Sequence, residues 1–316
     1  MSDQLISVII PTLNRPTDLA RCLKALLAQT SPVEEVCVVV GPGDVESPKV
    51  FGQLAGGNSA WRLVHVEQPS VVTAMNLGLS AVKNGIIVFL DDDAEPPSQW
   101  AAILREKIEQ YPDVGAFGGR DHLQLPEEPG LMNPPPASRV GVFTWSGQLI
   151  GNHHCGVVGS LADVDVIKGV NFAFRREAIP AMFIDRNLVF RGAEVGWEVD
   201  ICCAIKRAGW RIFYFNDFWV NHHVGMRSDE DNRAMRDTPV ALRRVFNMAY
   251  LIFKHRPPVS AAWYFLRHVL IGNRQQPGIV MMVLLVAHGD WKAPSLAFKI
   301  ARQLFVGACN GYRSRV

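Results

Sequence analysis

Apolar residues gather in the first third of the chain into short runs of alternating character. Ile6 to Ile10 is a β-branched run ended by Pro11 and reads as a buried strand. From Thr17 to Gln29 the apolar positions Leu19, Cys22, Leu23, Leu26 and Leu27 recur at the spacing of one helix face. Val36 to Val40, closed by Gly41-Pro42-Gly43, predicts a second strand. Trp61 to Val66 and Ile86 to Leu90 predict two more, with a helix from Ser70 to Val82 between them. Strand and helix in alternation predict an α/β fold, a mostly parallel sheet with helices on both faces.

After a strand at Val114 to Gly118 the pattern changes. Residues 121–165 are rich in Pro, Gly and Ser, including Pro126-Glu-Glu-Pro129 and Asn133-Pro-Pro-Pro136, and predict an irregular loop region such as an active-site flap. Order resumes with a strand at Val166 to Phe174, a helix from Trp197 to Ala208 stopped by Gly209, and a strand at Trp210 to Phe215. Apolar, helix-like segments follow at 240–255, 259–272, 278–288 and 295–309, none of them near the roughly 20 apolar residues of a membrane-spanning helix. The expected organisation is one α/β domain over residues 1–238 and a helical C-terminal extension over 239–316.

Composition sharpens this division. With 316 residues, 48% of them hydrophobic, the chain can bury a large core. The net charge of +2 hides an asymmetry: residues 239–316 hold eleven Lys/Arg against one acid, Asp290, and residues 1–238 hold 21 against 29. An acidic body argues against nucleic acid as a partner, while the basic, apolar tail points to an anionic surface such as the inner face of a membrane. Six cysteines without a CxxC pair suit a reducing cytoplasm, and the polar start Met1-Ser-Asp-Gln, running straight into a strand, predicts no secretory leader.

The chemistry is concentrated where Asp91, Asp92 and Asp93 close the run Gly85-Ile-Ile-Val-Phe-Leu90. Carboxylates at the C-terminal end of a buried strand stand at the usual ligand crevice of an open α/β sheet. Three together are costly unless a cation answers them, and Mg²⁺ or Mn²⁺ bridging to the phosphates of a nucleotide ligand does so. The alternative is an acidic turn before a helix capped by Ser98.

The wider set of motifs resembles the inverting glycosyltransferases of family 2, with the GT-A (Rossmann-like) fold. The matching stretches are Val8-Ile-Ile-Pro-Thr-Leu-Asn-Arg15, Ala74-Met-Asn-Leu-Gly78, Phe89-Leu-Asp-Asp-Asp93, Gly169-Val-Asn-Phe-Ala-Phe-Arg-Arg176, Trp197-Glu-Val-Asp-Ile201 before Arg207-Ala-Gly209, and Val220-Asn-His-His223, in family order over about residues 5 to 225. The resemblance implies a metal-dependent transferase that moves a sugar from a nucleotide-sugar donor to a glycan or lipid-linked acceptor, in polysaccharide or cell-envelope synthesis. It places Asp91 near the ribose, with Asp91, Asp93 and His222 as metal ligands and Asp92 beside the donor. It puts Pro11, Thr12, Asn14, Arg15, Asp44 and Asn76 in the donor site. Glu198 becomes the catalytic base, supported by Asp200, with Glu194 its rival, and Asn171 and Trp197 face the acceptor. His223, and His153-His154 in the loop region, are lesser metal candidates.

Departures from the pattern leave the nucleotide open. The second strand ends in Val40-Gly41-Pro42-Gly43 without the aspartate that reads uracil in many relatives, and Met75 stands where an arginine is expected beside Asn76. A UDP-sugar is the leading expectation, with GDP and dTDP as alternatives. Trp197 replaces the first acid of the family's acidic pair. A nucleotidyltransferase and a non-catalytic scaffold are the rival functions. The first lacks a glycine-rich phosphate loop with a following lysine.

Overall fold

In the order of the chain, the first elements are β1 (Ile6–Thr12), α1 (Pro16–Leu27), β2 (Glu35–Val40), α2 (Glu46–Ala55), β3 (Trp61–His65), α3 (Val71–Ala81), β4 (Ile86–Leu90), β5 (Ala94–Glu95), α4 (Trp100–Gln110) and β6 (Val114–Leu123). The hairpin β7 (Val142–Phe143) and β8 (Leu149–Ile150) follows, then β9 (Leu161–Asp163), β10 (Asn171–Arg175), α5 (Trp197–Arg207), β11 (Arg211–His222), α6 (Pro239–His255), α7 (Pro258–Leu270), α8 (Ile279–Ala287) and α9 (Ala293–Arg313). The computed structural model describes residues 4–124, 134–179, 183–188, 195–223 and 236–315. Two compact units divide the chain: residues 1–142, 150–189 and 201–226 form the first, and 143–149, 190–200 and 227–316 the second.

The first unit is built on a sheet of order β3-β2-β1-β4-β10-β6-β11-β5, with β9 pairing β11. β1, β2, β3 and β4 run parallel, as the alternating pattern predicts. β10 enters antiparallel between β4 and β6, and β6 and β11 are again parallel. Every residue of β2 and β4 is buried, which explains why these strands read as continuous apolar runs rather than alternating ones. α1 begins on Pro16, whose missing N–H costs nothing in a first turn, and buries Leu19, Cys22, Leu23 and Leu26 against the sheet. Ser70 caps α3 by accepting from the Thr73 N–H.

Several elements differ from the sequence reading. α2 and α4 were not legible as helices. In α4 the N-cap is Gln99 without a side-chain bond, while the Ser98 carbonyl accepts from Thr30, so Ser98 is not the cap expected of it. The strand expected from Val166 begins at Asn171, because the Asp165 and Val166 amides donate to the Gly141 carbonyl instead of a strand partner.

The feature that positions the site is the pairing of β6 with β11. Their register shifts between Phe215 and Val220, and pairing then continues as Val220↔Asp121, Asn221↔His122 and His222↔Leu123. The two backbones close on each other at Gly119, where an added Cβ would lie 1.4 Å from the Phe218 carbonyl oxygen. β5 pairs with the far end of β11, with His222 opposite Ala94, and the His223 amide donates to the Asp93 carbonyl at 2.9 Å. The acidic turn is thereby pinned between β4 and β11.

The second unit holds α6 to α9. Thr238 caps α6 through the Ala241 N–H, and Val245, Ala249, Ile252, Tyr264, Leu296, Ile300 and Leu304 form its core. Among the described residues no helix is long and apolar enough to cross a membrane.

Two glycines make opposite predictions. Gly119→Ala forces a side chain into backbone, so it should cost about 3 kcal/mol or more, at or beyond the upper end of ordinary overpacking. Gly52→Ala, in the exposed middle of α2 with nothing within 4 Å, should gain up to about 1 kcal/mol of helix propensity. Urea unfolding of the two variants checks both signs.

Candidate active site

The three aspartates leave β4 as a tight turn in which the Ala94 amide returns to the Asp91 carbonyl. Asp92 and Asp93 are buried, 4% and 7% exposed, and a single guanidinium answers both. Arg15 Nη1 lies 2.7 Å from Asp92 Oδ1 and Nη2 lies 2.8 Å from Asp93 Oδ2. Thr12, at the end of β1, donates to Asp92 Oδ2 at 2.7 Å. Thr12 and Arg15, which the resemblance puts in the donor site, are engaged by Asp92 and Asp93. Asn14 sits between them at φ 55°, in the left-handed region, with its amide donating to Asp44 Oδ2 at 2.6 Å.

His222 stands on the other side. Its Nε2 is 3.4 Å from Asp93 Oδ1, and its Nδ1 is 3.0 Å from Asp121 Oδ2. Asp121 is fully buried and also takes the Lys168 ammonium. Neither Asp121 nor Lys168 was among the residues expected from sequence. Asp121 is an acid on a strand end that the sequence places in the irregular region, and Lys168 lies one residue before a family motif.

Burial and charge divide these groups. Burial pushes Asp92 up to about 7 despite Arg15 and Thr12. Burial and the neighbouring Asp93 charge raise Asp91 as well. For Asp93 burial is outweighed by His222 and Arg15, which hold it at about 2. Burial opposes the imidazolium of His222, yet Asp121 and Asp93 raise it to about 9. Burial is likewise overcome at Asp121, which His222 and Lys168 keep below the usual carboxylate range.

Asp91, Asp93 and His222 offer one ligand atom each, all within 4.8 Å of one another, and are the group able to hold a metal ion among the described residues. Asp93 Oδ1 is buried and makes no hydrogen bond, since His222 Nε2 is beyond normal hydrogen-bond reach. A buried carboxylate oxygen without a donor, facing an imidazole nitrogen and a second carboxylate, fits a divalent cation. Asp121 fits the role of the acid that orients a ligand histidine by accepting from its other nitrogen.

The remaining expected residues fall elsewhere. The Asn171 amide is fully buried, accepting from Trp100 Nε1 and donating to the Phe218 carbonyl, each at 3.0 Å, so it braces β10 and α4 instead of meeting an acceptor. Asn76 clamps the backbone of Ile184 in both directions. Asp44 receives the Asn14 and Ser47 amides and shapes the loop after β2. Pro11 is a partly buried residue within β1, paired with Val39. Trp197 is 4% exposed, which removes its ring from the surface expected for stacking on a sugar. Glu198 and Asp200 lie in the first turn of α5, where the helix dipole favours a carboxylate. Asp200 Oδ1 takes both Lys254 Nζ and His255 Nε2 at 2.7 Å. Glu194 lies outside the described residues. His223 pairs with Glu95 at 2.7 Å, and the buried His153 ring bonds the Val166 carbonyl at 2.8 Å.

Two predictions follow from this electrostatics. Metal binding must displace the His222 proton, so Mn²⁺ affinity in a calorimetric titration should rise by up to about tenfold per unit between about pH 6.5 and about pH 9. Asp121→Asn should weaken Mn²⁺ binding by about 10- to 100-fold and move that rise to lower pH, because the imidazolium loses a partner. For Asp200, burial is outweighed by His255 and Lys254, which hold it at about 2, below the ordinary 3.8. A depressed carboxylate contributes stability that is present above its unfolded pKa and lost as pH falls through the folded one. Asp200→Asn should therefore remove about 2 kcal/mol at neutral pH and flatten the loss of stability between about pH 4 and pH 2 in acid unfolding.

Residues 7–161 match the family model described as Glycosyl transferase family 2. The glycosyltransferase AglE of Haloferax volcanii is 25% identical over 197 residues, 61% of this chain and 59% of that protein, so the match leaves out over a third of AglE. Glucosyl-dolichyl phosphate glucuronosyltransferase of the same organism is 23% identical over 225 residues, 69% of each chain. In fold, the mannosyltransferase PcManGT from Pyrobaculum calidifontis in complex with GDP-Man and Mn²⁺ aligns with a TM-score of 0.57 at 19% identity, over 97% of this chain and 86% of that one. GalNAc-T7 with UDP, GalNAc and Mn²⁺ aligns with a TM-score of 0.63 at 15% identity, over 94% and 57%. The fold is therefore that of the GT-A-like glycosyltransferases, a mostly parallel sheet wrapped by helices with a C-terminal helical region, and the segment from β1 to the start of β9 matches Glycosyl transferase family 2.

Proposed function

We propose that this chain is a metal-dependent, inverting glycosyltransferase of the hexosyl type, moving a sugar from a nucleotide-sugar donor to a glycan or lipid-linked acceptor. The observation that carries the reading is the unbonded Asp93 oxygen facing His222 and Asp91 at the C-terminal end of β4. Mn²⁺ suits a set containing imidazole better than Mg²⁺ does. When bound, the cation would offset charge developing on the diphosphate leaving group. Asp91, Asp93 and His222 would hold it, Asp121 and Lys168 would keep the imidazole turned toward it, and Arg15 would fix Asp92 and Asp93. Glu198 is the proposed base that takes the acceptor proton.

UDP remains the first choice of nucleotide, with GDP and dTDP behind it. The GDP-Man and UDP in the two structural neighbours support a nucleotide-diphosphate donor. The dolichyl phosphate in the name of one relative favours a lipid-linked acceptor, and with it a role in envelope or polysaccharide assembly. Six free cysteines agree with a reducing cytoplasm. Contact with the inner membrane face is assigned to the basic extension from Pro239. A non-catalytic scaffold is the second reading, favoured by Arg15, which already neutralises part of the acidic turn. Against it stands the Asp93 oxygen that Arg15 leaves unbonded.

Asp93→Ala should abolish both transfer and metal-dependent nucleotide binding while the protein stays folded. Full activity, or activity indifferent to EDTA, would remove the metal from the reading. Glu198→Gln should retain donor affinity and lower kcat by about a hundredfold or more. An α-linked donor should yield a β-linked product, and a retained linkage would exclude single displacement. Hydrolysis of no nucleotide-sugar under any metal would leave the scaffold.

A further inference from the structure

The second unit turns its most apolar helix outward. α8 reads Ile-Val-Met-Met-Val-Leu-Leu-Val-Ala, and none of its nine residues is buried. Ile279, Val280, Val283 and Leu284 are each about half exposed. α7 repeats the inversion: Val259, Trp263, Leu266 and Leu270 share one face at helical spacing and all are exposed, whereas such a stripe on a globular helix faces a core. Phe298 and Phe305, on one face of α9, are 73% and 60% exposed. Beneath α8 an open groove of about 290 Å³ between α7 and α9 is lined almost wholly by apolar side chains. An apolar surface of this extent marks a partner or a membrane.

Charge selects between the two. Arg274, His288, Lys292 and Arg302, before, after and beyond α8 in the chain, are exposed. The one acid of residues 239–316, Asp290, is already paired with Arg236 at 2.7 Å. A second copy would bring one strongly basic surface against another, while anionic lipid headgroups complement it. Trp291, 78% exposed, adds an aromatic side chain of the kind that settles at the membrane–water boundary. α8 is about 13 Å long, too short to span roughly 30 Å of hydrocarbon, so it can only lie in the plane of the leaflet.

We propose that α8, flanked by the exposed faces of α7 and α9, inserts flat among the acyl chains of an anionic leaflet, with the exposed basic residues in the headgroups. This rests on the membrane contact proposed above and commits it to apolar insertion rather than adsorption of basic side chains. The groove beneath α8 is of a size to take part of one lipid chain.

Flotation of the full chain with phosphatidylcholine vesicles, with and without phosphatidylglycerol, tests this at low and high salt. The full chain should float with the anionic vesicles, and most of the bound fraction should persist through a high-salt wash. Its tryptophan emission should be quenched by brominated acyl chains, and Trp291→Phe should reduce that quenching. The double variant Val283→Glu, Leu284→Glu should lose flotation by about tenfold or more at either salt. Its melting temperature and nucleotide binding should stay unchanged, because both substituted side chains are about half exposed. If high salt strips the chain completely and the double variant floats as well as the parent, insertion is wrong and the contact is electrostatic adsorption. If the chain ignores both vesicles and instead elutes as a dimer that the double variant dissociates, the membrane contact itself fails and the face belongs to a second copy.

Discussion

The structure of the first unit depends on holding two buried carboxylates beside a third at the end of β4. Three acids at the edge of a dry sheet repel one another and lose hydration, so the chain must supply cations from elsewhere. It does so from two directions. Arg15, just after β1, bridges Asp92 and Asp93, and His222 at the end of β11 approaches Asp93 from the other side, carried by Asp121 and Lys168. This balance is incomplete. Asp92 remains raised to about 7, and one Asp93 oxygen remains without a hydrogen bond. Residual protonation of this kind is what a divalent cation would relieve, since it favours the charged form of every carboxylate near it.

Bringing His222 to that turn is a problem of sheet geometry rather than of loop placement. β6 and β11 keep pairing beyond the register shift, and this works because Gly119 lets the Phe218 carbonyl pass where a side chain would sit. β5, only two residues long, then ties the acidic turn to the same strand that bears His222. A histidine set on a paired strand is held more precisely than one set on a loop. The cost falls on β6, whose buried end must accommodate the charged pair of Asp121 and Lys168.

The legible parts of this design were those with a local signature. Continuous β-branched runs announce buried parallel strands, and three aspartates after one of them announce the acidic turn. What was not legible depended on pairing across long sequence distances. Gly118-Gly119 reads as the end of a strand when only local propensity is weighed, yet here glycine serves close approach and the strand runs on to Leu123. Asp121 consequently fell into the supposed loop region and its role was hidden. α2 carries Pro48 and Gly52, which argue against a helix locally, although Pro48 lies in the first turn, where its lack of an N–H does no harm. Asn76 and Asn171 share the residue type of ligand contacts, but their amides are used to close the framework, a distinction set by the partners the fold brings to them and not by sequence position.

The same three residue types occur twice with different consequences. Asp121, His222 and Lys168 form one trio in the first unit, and Asp200, His255 and Lys254 form another in the second. In both trios a single oxygen, Asp121 Oδ2 or Asp200 Oδ1, takes the lysine ammonium and one ring nitrogen of the histidine, and in the second this straps α5's first turn to α6. In the first, Asp121 Oδ2 engages one nitrogen of His222, and the other nitrogen is left pointing at Asp93 and the acidic turn. The carboxylate then no longer only anchors a histidine; it determines which nitrogen is presented to the neighbouring acids. That the second ring nitrogen of His222 faces Asp93 is what makes this histidine a candidate metal ligand, and neither the spacing nor the composition of the trio contains it.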